Sequence, residues 1–230
     1  SGGQTFVALG SGSLHTCGLV ASGEAYCWGW GSSGQIGDGT TVTPRTSPTA
    51  VSGGLTFAVL AGGGSSTCGL TAVGTAYCWG SNSSGQLGDG TTTNRTSPVL
   101  VSGGLTFVTL ALGASATCGL TLTGAAYCWG NNAYGQLGDG TTTSRTSPTL
   151  VAGGQRFVAL ASGSGGSSVC GLTPAGVAYC WGYNDAGQIG DGSRTTRTVP
   201  TLVSGGLAFT QIATGGSTTC GLTTANALYC

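Results

Sequence analysis

The chain has no methionine and no lysine, a single histidine and a single glutamate, and only 12 charged side chains in 230 residues, which sum to zero. Each shortage excludes something. Acid–base and nucleophilic catalysis draws on His, Glu, Asp, Lys and free Cys, so the inventory reads as non-catalytic, with no cofactor and no metal centre expected. A nucleic-acid partner requires a basic face, and six Arg set against six acids do not supply one. Crossing a membrane as a helix takes about 20 consecutive apolar residues; here Gly, Ser or Thr interrupts every apolar run, so no membrane span is expected. A primary translation product begins with Met and this chain begins with Ser1, which reads as a processed or excised segment whose export signal is not informative.

What is abundant is glycine, 47 residues, and Ser plus Thr, 61, together with 10 Cys. With 39% hydrophobic residues and no net charge, the composition is that of a folded, Gly-rich, all-β protein and not of a disordered one. A repeat organises it. The string Cys-Gly-Leu, a short loop, then Tyr-Cys opens at Cys17, Cys68, Cys118, Cys170 and Cys220. Written from the Gly-Gly start, the copies run 1–51, 52–101, 102–151 and 152–203, with a half copy at 204–230.

Within a copy the residues read as short strands between turns. Phe6-Val7-Ala8-Leu9 is a first strand. Thr16-Cys17-Gly18-Leu19 and Ala25-Tyr26-Cys27-Trp28 flank a tight hairpin turn at Gly23. A polar loop, Gly34-Gln35-Ile36-Gly37-Asp38-Gly39-Thr40, follows, and Ser47-Pro48-Thr49-Ala50-Val51 is a last strand whose proline suits a sheet edge. Three or four strands per 50-odd residues predict β-propeller-type blades; the coil of a parallel β-helix is much shorter. Both ends of the chain carry the same half of a copy, so the ring is not expected to be closed by this segment alone.

The run Cys-Gly-Leu-Thr-x-x-Gly-x-Ala-Tyr-Cys-Trp-Gly, then Gly-Gln-Leu-Gly-Asp-Gly-Thr-Thr and Arg-Thr-Ser-Pro, resembles the repeat of the regulator of chromosome condensation family in its Cys-bearing bacterial form, over essentially all 230 residues. The resemblance implies a propeller, typically seven-bladed, and functions from nucleotide exchange on a small GTPase to inhibition of a β-lactamase. The His usual in the first half of each such repeat is present here only as His15.

The cysteines pair at a constant step of ten: Cys17 with Cys27, Cys68 with Cys78, Cys118 with Cys128, Cys170 with Cys180 and Cys220 with Cys230. If Leu19 faces Ala25 across the hairpin, Cys17 faces Cys27 at a separation a disulfide can bridge. Each such staple is worth roughly 2.5–3 kcal/mol in the chain-entropy model. The competing reading, zinc, needs two pairs on one ion. Oxidised cysteines place the chain outside the cell or at its surface.

Four of the five Asp and four of the six Arg recur in register, as Asp38 with Arg45, Asp89 with Arg95, Asp139 with Arg145 and Asp191 with Arg197. They read as one structural charge pair per copy; calcium would need more carboxylates per loop. His15 reads as a surface or core side chain, with a contact to Glu24 across the hairpin open to it. The residues after each Trp-Gly vary, and Trp30, Asn82, Asn132, Tyr134, Tyr183 and Asn184 are the candidate contact residues. Asn82-Ser83-Ser84 and Asn94-Arg95-Thr96 are acceptor sequences for glycans. The expected function is a secreted scaffold acting by protein–protein contact, as a filament-like structural or adhesive subunit partnered by itself or another extracellular protein. The alternative is a soluble ligand- or enzyme-binding, inhibitor-like propeller.

Overall fold

The structure, a computed structural model, describes residues 3–163 and 167–230. It is all-β. The first sheet consists of β1 (Phe6–Ser11), β2 (His15–Val20), β3 (Ala25–Gly29) and β4 (Arg45–Ala50). The second is β5 (Val59–Gly62), β6 (Ser66–Leu70), β7 (Ala76–Gly80) and β8 (Arg95–Leu100), and the third β9 (Thr109–Leu112), β10 (Ala116–Leu120), β11 (Ala126–Gly130) and β12 (Arg145–Leu150). The fourth comprises β13 (Ala159–Ser162), β14 (Ser168–Leu172), β15 (Ala178–Gly182) and β16 (Arg197–Leu202). The fifth has three strands, β17 (Phe209–Thr214), β18 (Thr219–Thr223) and β19 (Leu228–Tyr229). Every sheet is an antiparallel meander in chain order, and among the described residues no sheet joins strands from the two ends.

Neighbouring sheets meet through their first strands, β1 on β5, β5 on β9, β9 on β13 and β13 on β17, as blades do about a propeller axis. The fourth strand is therefore outermost, which is where Pro48, Pro98, Pro148 and Pro200 fall. Arg45 pairs with Gly29 and Thr49 with Cys27, so the strand starts two residues earlier than the sequence predicts, and a register shift accommodates the proline. The hairpin turn of each sheet holds the start of the next: the N–H groups of Phe57, Phe107, Phe157 and Phe209 donate to the carbonyls of Gly23, Gly74, Gly124 and Gly176 at 2.8–2.9 Å.

Those phenylalanines explain the glycine of Cys-Gly-Leu. The Phe57 ring lies over Gly69, where a Cβ would come within 2.5 Å of it, and the same distance recurs at Gly119 under Phe107. From there each ring reaches the tryptophan of its own third strand, with centroids 5.7 Å apart for Phe57–Trp79 and Phe107–Trp129. The tryptophan is capped from outside its own sheet. The loop read as polar turns one apolar side chain into the next sheet: Ile36, Leu87, Leu137 and Ile189 are 0–1% exposed. The preceding residue offers its carbonyl, so Trp79 Nε1 donates to Gln35 O, Trp129 Nε1 to Gln86 O and Trp181 Nε1 to Gln136 O, each at 3.0 Å. The loop continues to the outer strand, where Gly39, Gly90 and Gly140 donate to the carbonyls of Thr96, Thr146 and Thr198 at 2.9 Å. Trp28, in the first sheet, is only partly buried.

Inside each sheet the second and third strands pair Leu19 with Ala25 and Cys17 with Cys27, and the register repeats to Cys170 with Cys180. All ten cysteines lie in pairs within a hairpin, with sulfurs 2.04–2.12 Å apart and Cα atoms 4.1 Å apart. Eight of the ten are 0–1% exposed, whereas Cys220 is partly exposed and Cys230 exposed.

Two outcomes are expected. Trp129→Ala should cost about 3–5 kcal/mol in non-reducing denaturant unfolding, and Trp28→Ala clearly less; equal losses would show that the loop-capped indole is not what holds the junctions. Under graded phosphine reduction of native protein, alkylation and peptide mapping should find Cys220 and Cys230 modified first, because access governs attack on a buried sulfur. Simultaneous modification of all five pairs would contradict this.

Candidate functional site: the loop face

The long connections between third and fourth strands share one construction. In the third sheet Asp139 Oδ2 accepts from Arg145 Nε at 3.0 Å and Nη2 at 2.9 Å. Its Oδ1 accepts from the backbone N–H and the hydroxyl of Thr141, at 2.9 and 2.7 Å. The pairs Asp38–Arg45, Asp89–Arg95 and Asp191–Arg197 repeat it. Burial alone pushes these carboxyl pKa values up; the hydrogen bonds from Thr, Ser and Arg, joined by Asn132 at Asp139 and by the guanidinium charge at the other three, outweigh it and leave all four below the ordinary value. The aspartates are nearly covered and the arginines about one-third exposed, the geometry of a latch for the loop.

Asn82, Asn132 and Asn184 belong to this latch and not to a contact surface, which corrects the sequence reading. All three are fully buried. Asn132 Nδ2 donates to Asp139 Oδ1, Thr141 O and Thr143 O at 3.1 Å each, and its Oδ1 accepts from Leu137 N at 3.0 Å. The amide thus fixes both the charge pair and the residue that enters the next sheet. The same bonds occupy Asn82 Nδ2, the atom a glycan would be attached to. Asn94 is exposed, with its Oδ1 accepting from Asn82 N at 2.8 Å. The sequence signal for the amide was its constant place seven residues before Asp89, Asp139 and Asp191. In the first copy Gly31 stands there, and its N–H donates to Thr43 Oγ1 at 2.9 Å instead.

The remaining candidates do face outward. Trp30 and Tyr134 are each 45% exposed, and Trp30 Nε1 donates to Ser32 Oγ at 2.7 Å. Tyr183, half-buried, sets its ring 4.7 Å from that of Tyr134 across the boundary of two sheets. Its hydroxyl donates to the exposed carboxylate of Asp185, which raises the phenol pKa. The loop face therefore presents one isolated indole and one tyrosine pair beside a carboxylate.

His15 is 4% exposed. The expected contact with Glu24 is not made: His15 pairs with Gly29, at the far end of the hairpin from Glu24, whose carboxylate accepts from Ser22 Oγ at 3.0 Å. Its Nε2 lies 2.8 Å from Thr67 Oγ1, and Thr67 gives its own proton to Gln35 O at 2.9 Å, so Nε2 is the protonated nitrogen. Burial lowers the imidazole pKa to about 4. His15 is a cross-sheet core residue, linked through Thr67 to the carbonyl that accepts from Trp79. Among the described residues, no three His, Cys, Asp or Glu side chains are grouped to hold a metal ion, and no helix is long and apolar enough to cross a membrane.

A row of four-stranded meander sheets, the first three each locked to the next by a loop-capped indole, is a repeat propeller scaffold. The profile of the regulator of chromosome condensation (RCC1) repeat matches residues 22–70, 73–120, 123–170 and 175–222, and a second profile of the same repeat matches 6–35, 58–86 and 107–136. The chain belongs to the RCC1 repeat family. Each longer match starts at a hairpin turn and ends in the second strand of the following sheet, so the family unit straddles two sheets and contains the capping loop with the first two strands of the sheet it enters, while the tryptophan that the loop caps belongs to the next unit or lies beyond the match. Over 87 residues, the chain is 36% identical to the human probable E3 ubiquitin-protein ligase HERC3, covering 37% of this chain and 8% of that protein. Human WBSCR16 superposes at TM-score 0.85 with 25% identity, over 96% of this chain and 58% of that one. Prp20p of Saccharomyces cerevisiae, described with its binding to Gsp1p and histones, superposes at 0.79 with 21% identity, over 94% and 55%. The chain thus spans a small part of that curated relative and little more than half of those structures.

The buried imidazole gives a pH signature. A His whose folded pKa is near 4 binds its proton less readily than in the unfolded chain, near 6.5, so stability falls as pH drops from 6.5 toward 4. The lowered aspartates lose their contribution only below about pH 4, which separates the two effects. From pH 7 to 4.5 the His15 contribution should drop by about 2 kcal/mol. His15→Ser, the residue found at Ser66 and Ser168, should flatten that interval in unfolding midpoints; an unchanged slope would show that His15 is not the titrating group.

Proposed function

We propose that the chain is a non-catalytic, exported repeat scaffold that acts by protein–protein contact, as a subunit of an extracellular structural or adhesive assembly. The observation that carries this reading is the pairing of all ten cysteines inside the hairpins, an architecture suited to an oxidising compartment. The few charges support it, because eight of the twelve are spent on latching loops. The first sheet also turns an apolar face outward, with Val7 and Leu9 each 66% exposed; such a face suits packing against another chain, and an almost uncharged surface opposes it little. Asn94 remains the candidate glycan acceptor.

A second reading, a soluble ligand- or enzyme-binding propeller of the inhibitor kind, is favoured by the Tyr134–Tyr183 pair on the loop face, since aromatic anchors of this type dominate contact surfaces. Sedimentation and electron microscopy separate the two. The assembly reading expects growth with concentration into extended particles, blocked by Leu9→Asp and indifferent to Tyr134→Ser. A monodisperse monomer at every concentration would overturn it, and loss of partner capture on Tyr134→Ser with Tyr183→Ser would establish the second.

A further inference from the structure

The loop face holds one arrangement whose chemistry neither reading of the function uses. Where the third and fourth sheets adjoin, the loop after β11 sets Tyr134 against Tyr183 of the loop after β15, with ring centroids 4.7 Å apart and planes at 56°. The corresponding positions of the two earlier junctions hold Ser33 with Ser81 and Ser84 with Asn131. Both tyrosine-bearing loops are latched by their own charge pairs, Asp139–Arg145 and Asp191–Arg197. Tyr134 is further fixed by its backbone N–H, which donates to Gln136 Oε1 at 2.9 Å. The two rings are thus carried by held loops on separate sheets and meet without room for a ligand between them.

The pair is also open to solution and supplied with a base. Tyr134 is 45% exposed and Tyr183 half-buried, and the Tyr183 hydroxyl donates to the exposed carboxylate of Asp185. The other tyrosines are placed differently. Tyr26, Tyr77, Tyr127 and Tyr179 are half-buried, each with its ring 6.3–6.5 Å from the phenylalanine of its own sheet, and Tyr229 is exposed near the end of the chain. Among the described residues, Tyr134 and Tyr183 are the one pair of tyrosines in ring contact.

We propose that Tyr134 and Tyr183 form an oxidative cross-linking site, at which a haem peroxidase with hydrogen peroxide joins the two rings into a dityrosine that fastens the third sheet to the fourth. One electron and one proton leave each phenol, and together they reduce the peroxide to two waters. The Tyr183 proton passes along its hydrogen bond to Asp185 and on to solvent; the exposed Tyr134 releases its proton to solvent directly. The two phenoxyl radicals then couple through ring carbons ortho to oxygen. One C–C bond forms, the two ring C–H bonds at those carbons break, their hydrogens return to the oxygens, and the chain is lighter by two hydrogen atoms. Contact between the rings makes the coupling unimolecular, which favours it strongly over coupling between separate chains. The chemistry is the same whether the chain assembles or binds a soluble partner.

The test treats the 230-residue chain at neutral pH with a haem peroxidase and hydrogen peroxide, and follows dityrosine fluorescence, intact mass and tryptic peptides after reduction and alkylation. A loss of two hydrogen atoms is expected from a chain that stays monomeric in denaturing electrophoresis, with peptide 96–145 joined to peptide 157–194 through Tyr134 and Tyr183. Its yield per chain should be unchanged on roughly tenfold dilution. Tyr134→Phe and Tyr183→Phe, which remove only hydroxyls from outward rings, should each abolish this species. Asp185→Asn, which accepts a hydrogen bond but takes no proton, should slow the coupling by about tenfold or more, and Asp185→Glu should restore it. A bond at Tyr229 or at the half-buried tyrosines instead, a yield falling in proportion to dilution, or cross-linking undiminished in both Phe variants would overturn the site. Coupling of Asp185→Asn at the parent rate would overturn the proton path.

Discussion

Each complete junction in this scaffold depends on one indole held beneath a loop of the preceding sheet. The indole has its ring against a phenylalanine of its own sheet and its N–H on a glutamine carbonyl of the neighbour. The contact couples two otherwise separate meanders, and it sets the residues around it. The glycine two places after the glutamine is required because a side chain there would overlap the indole, and the glycine of Cys-Gly-Leu because the phenylalanine ring occupies its side-chain space. The apolar residue between glutamine and glycine then fills what remains, at no more than 1% exposure. Much of the glycine content follows from close packing of large aromatic rings against backbone, and not from a need for flexibility.

The capping loop is long and mostly polar, so its shape has to be held by something other than a core. The aspartate, arginine and asparagine do this together. An exposed ion pair would contribute little, but here the carboxylate is nearly covered and each of its oxygens accepts more than one hydrogen bond. The asparagine ties that carboxylate to the backbone N–H of the inserting leucine or isoleucine. A chain with only 12 charges has placed eight of them in the loops that carry the inserting side chains. The scaffold is thereby divided into a framework that repeats and a few outward positions, Trp30, Tyr134 and Tyr183 among them, that do not. That division is what a contact protein requires, since binding residues vary on a surface whose support is fixed.

Much of this was legible in the amino-acid order. The constant ten-residue step across a two-strand hairpin determined the Cys17–Cys27 register and its four repeats, because cross-strand neighbours in an antiparallel pair follow from the turn. The proline positions determined the outer strand, and the constant Asp and Arg determined the loop pairs. These are local relations, closed within about twenty residues. The capping of the indole was decided by tertiary structure alone: Gln35 and Trp79 are 44 residues apart, and nothing in the string Gly-Gln-Ile-Gly-Asp-Gly says which way its single apolar side chain turns. The burial of Asn82, Asn132 and Asn184 follows from that capping, because an amide among variable neighbours reads as surface until the loop folds back over it. So does the environment of His15, whose partner Thr67 is supplied by the next sheet. Pairing inside a sheet is set by backbone periodicity and is visible in sequence; contact between sheets is set by how side-chain volumes meet, and only the assembled fold specifies that.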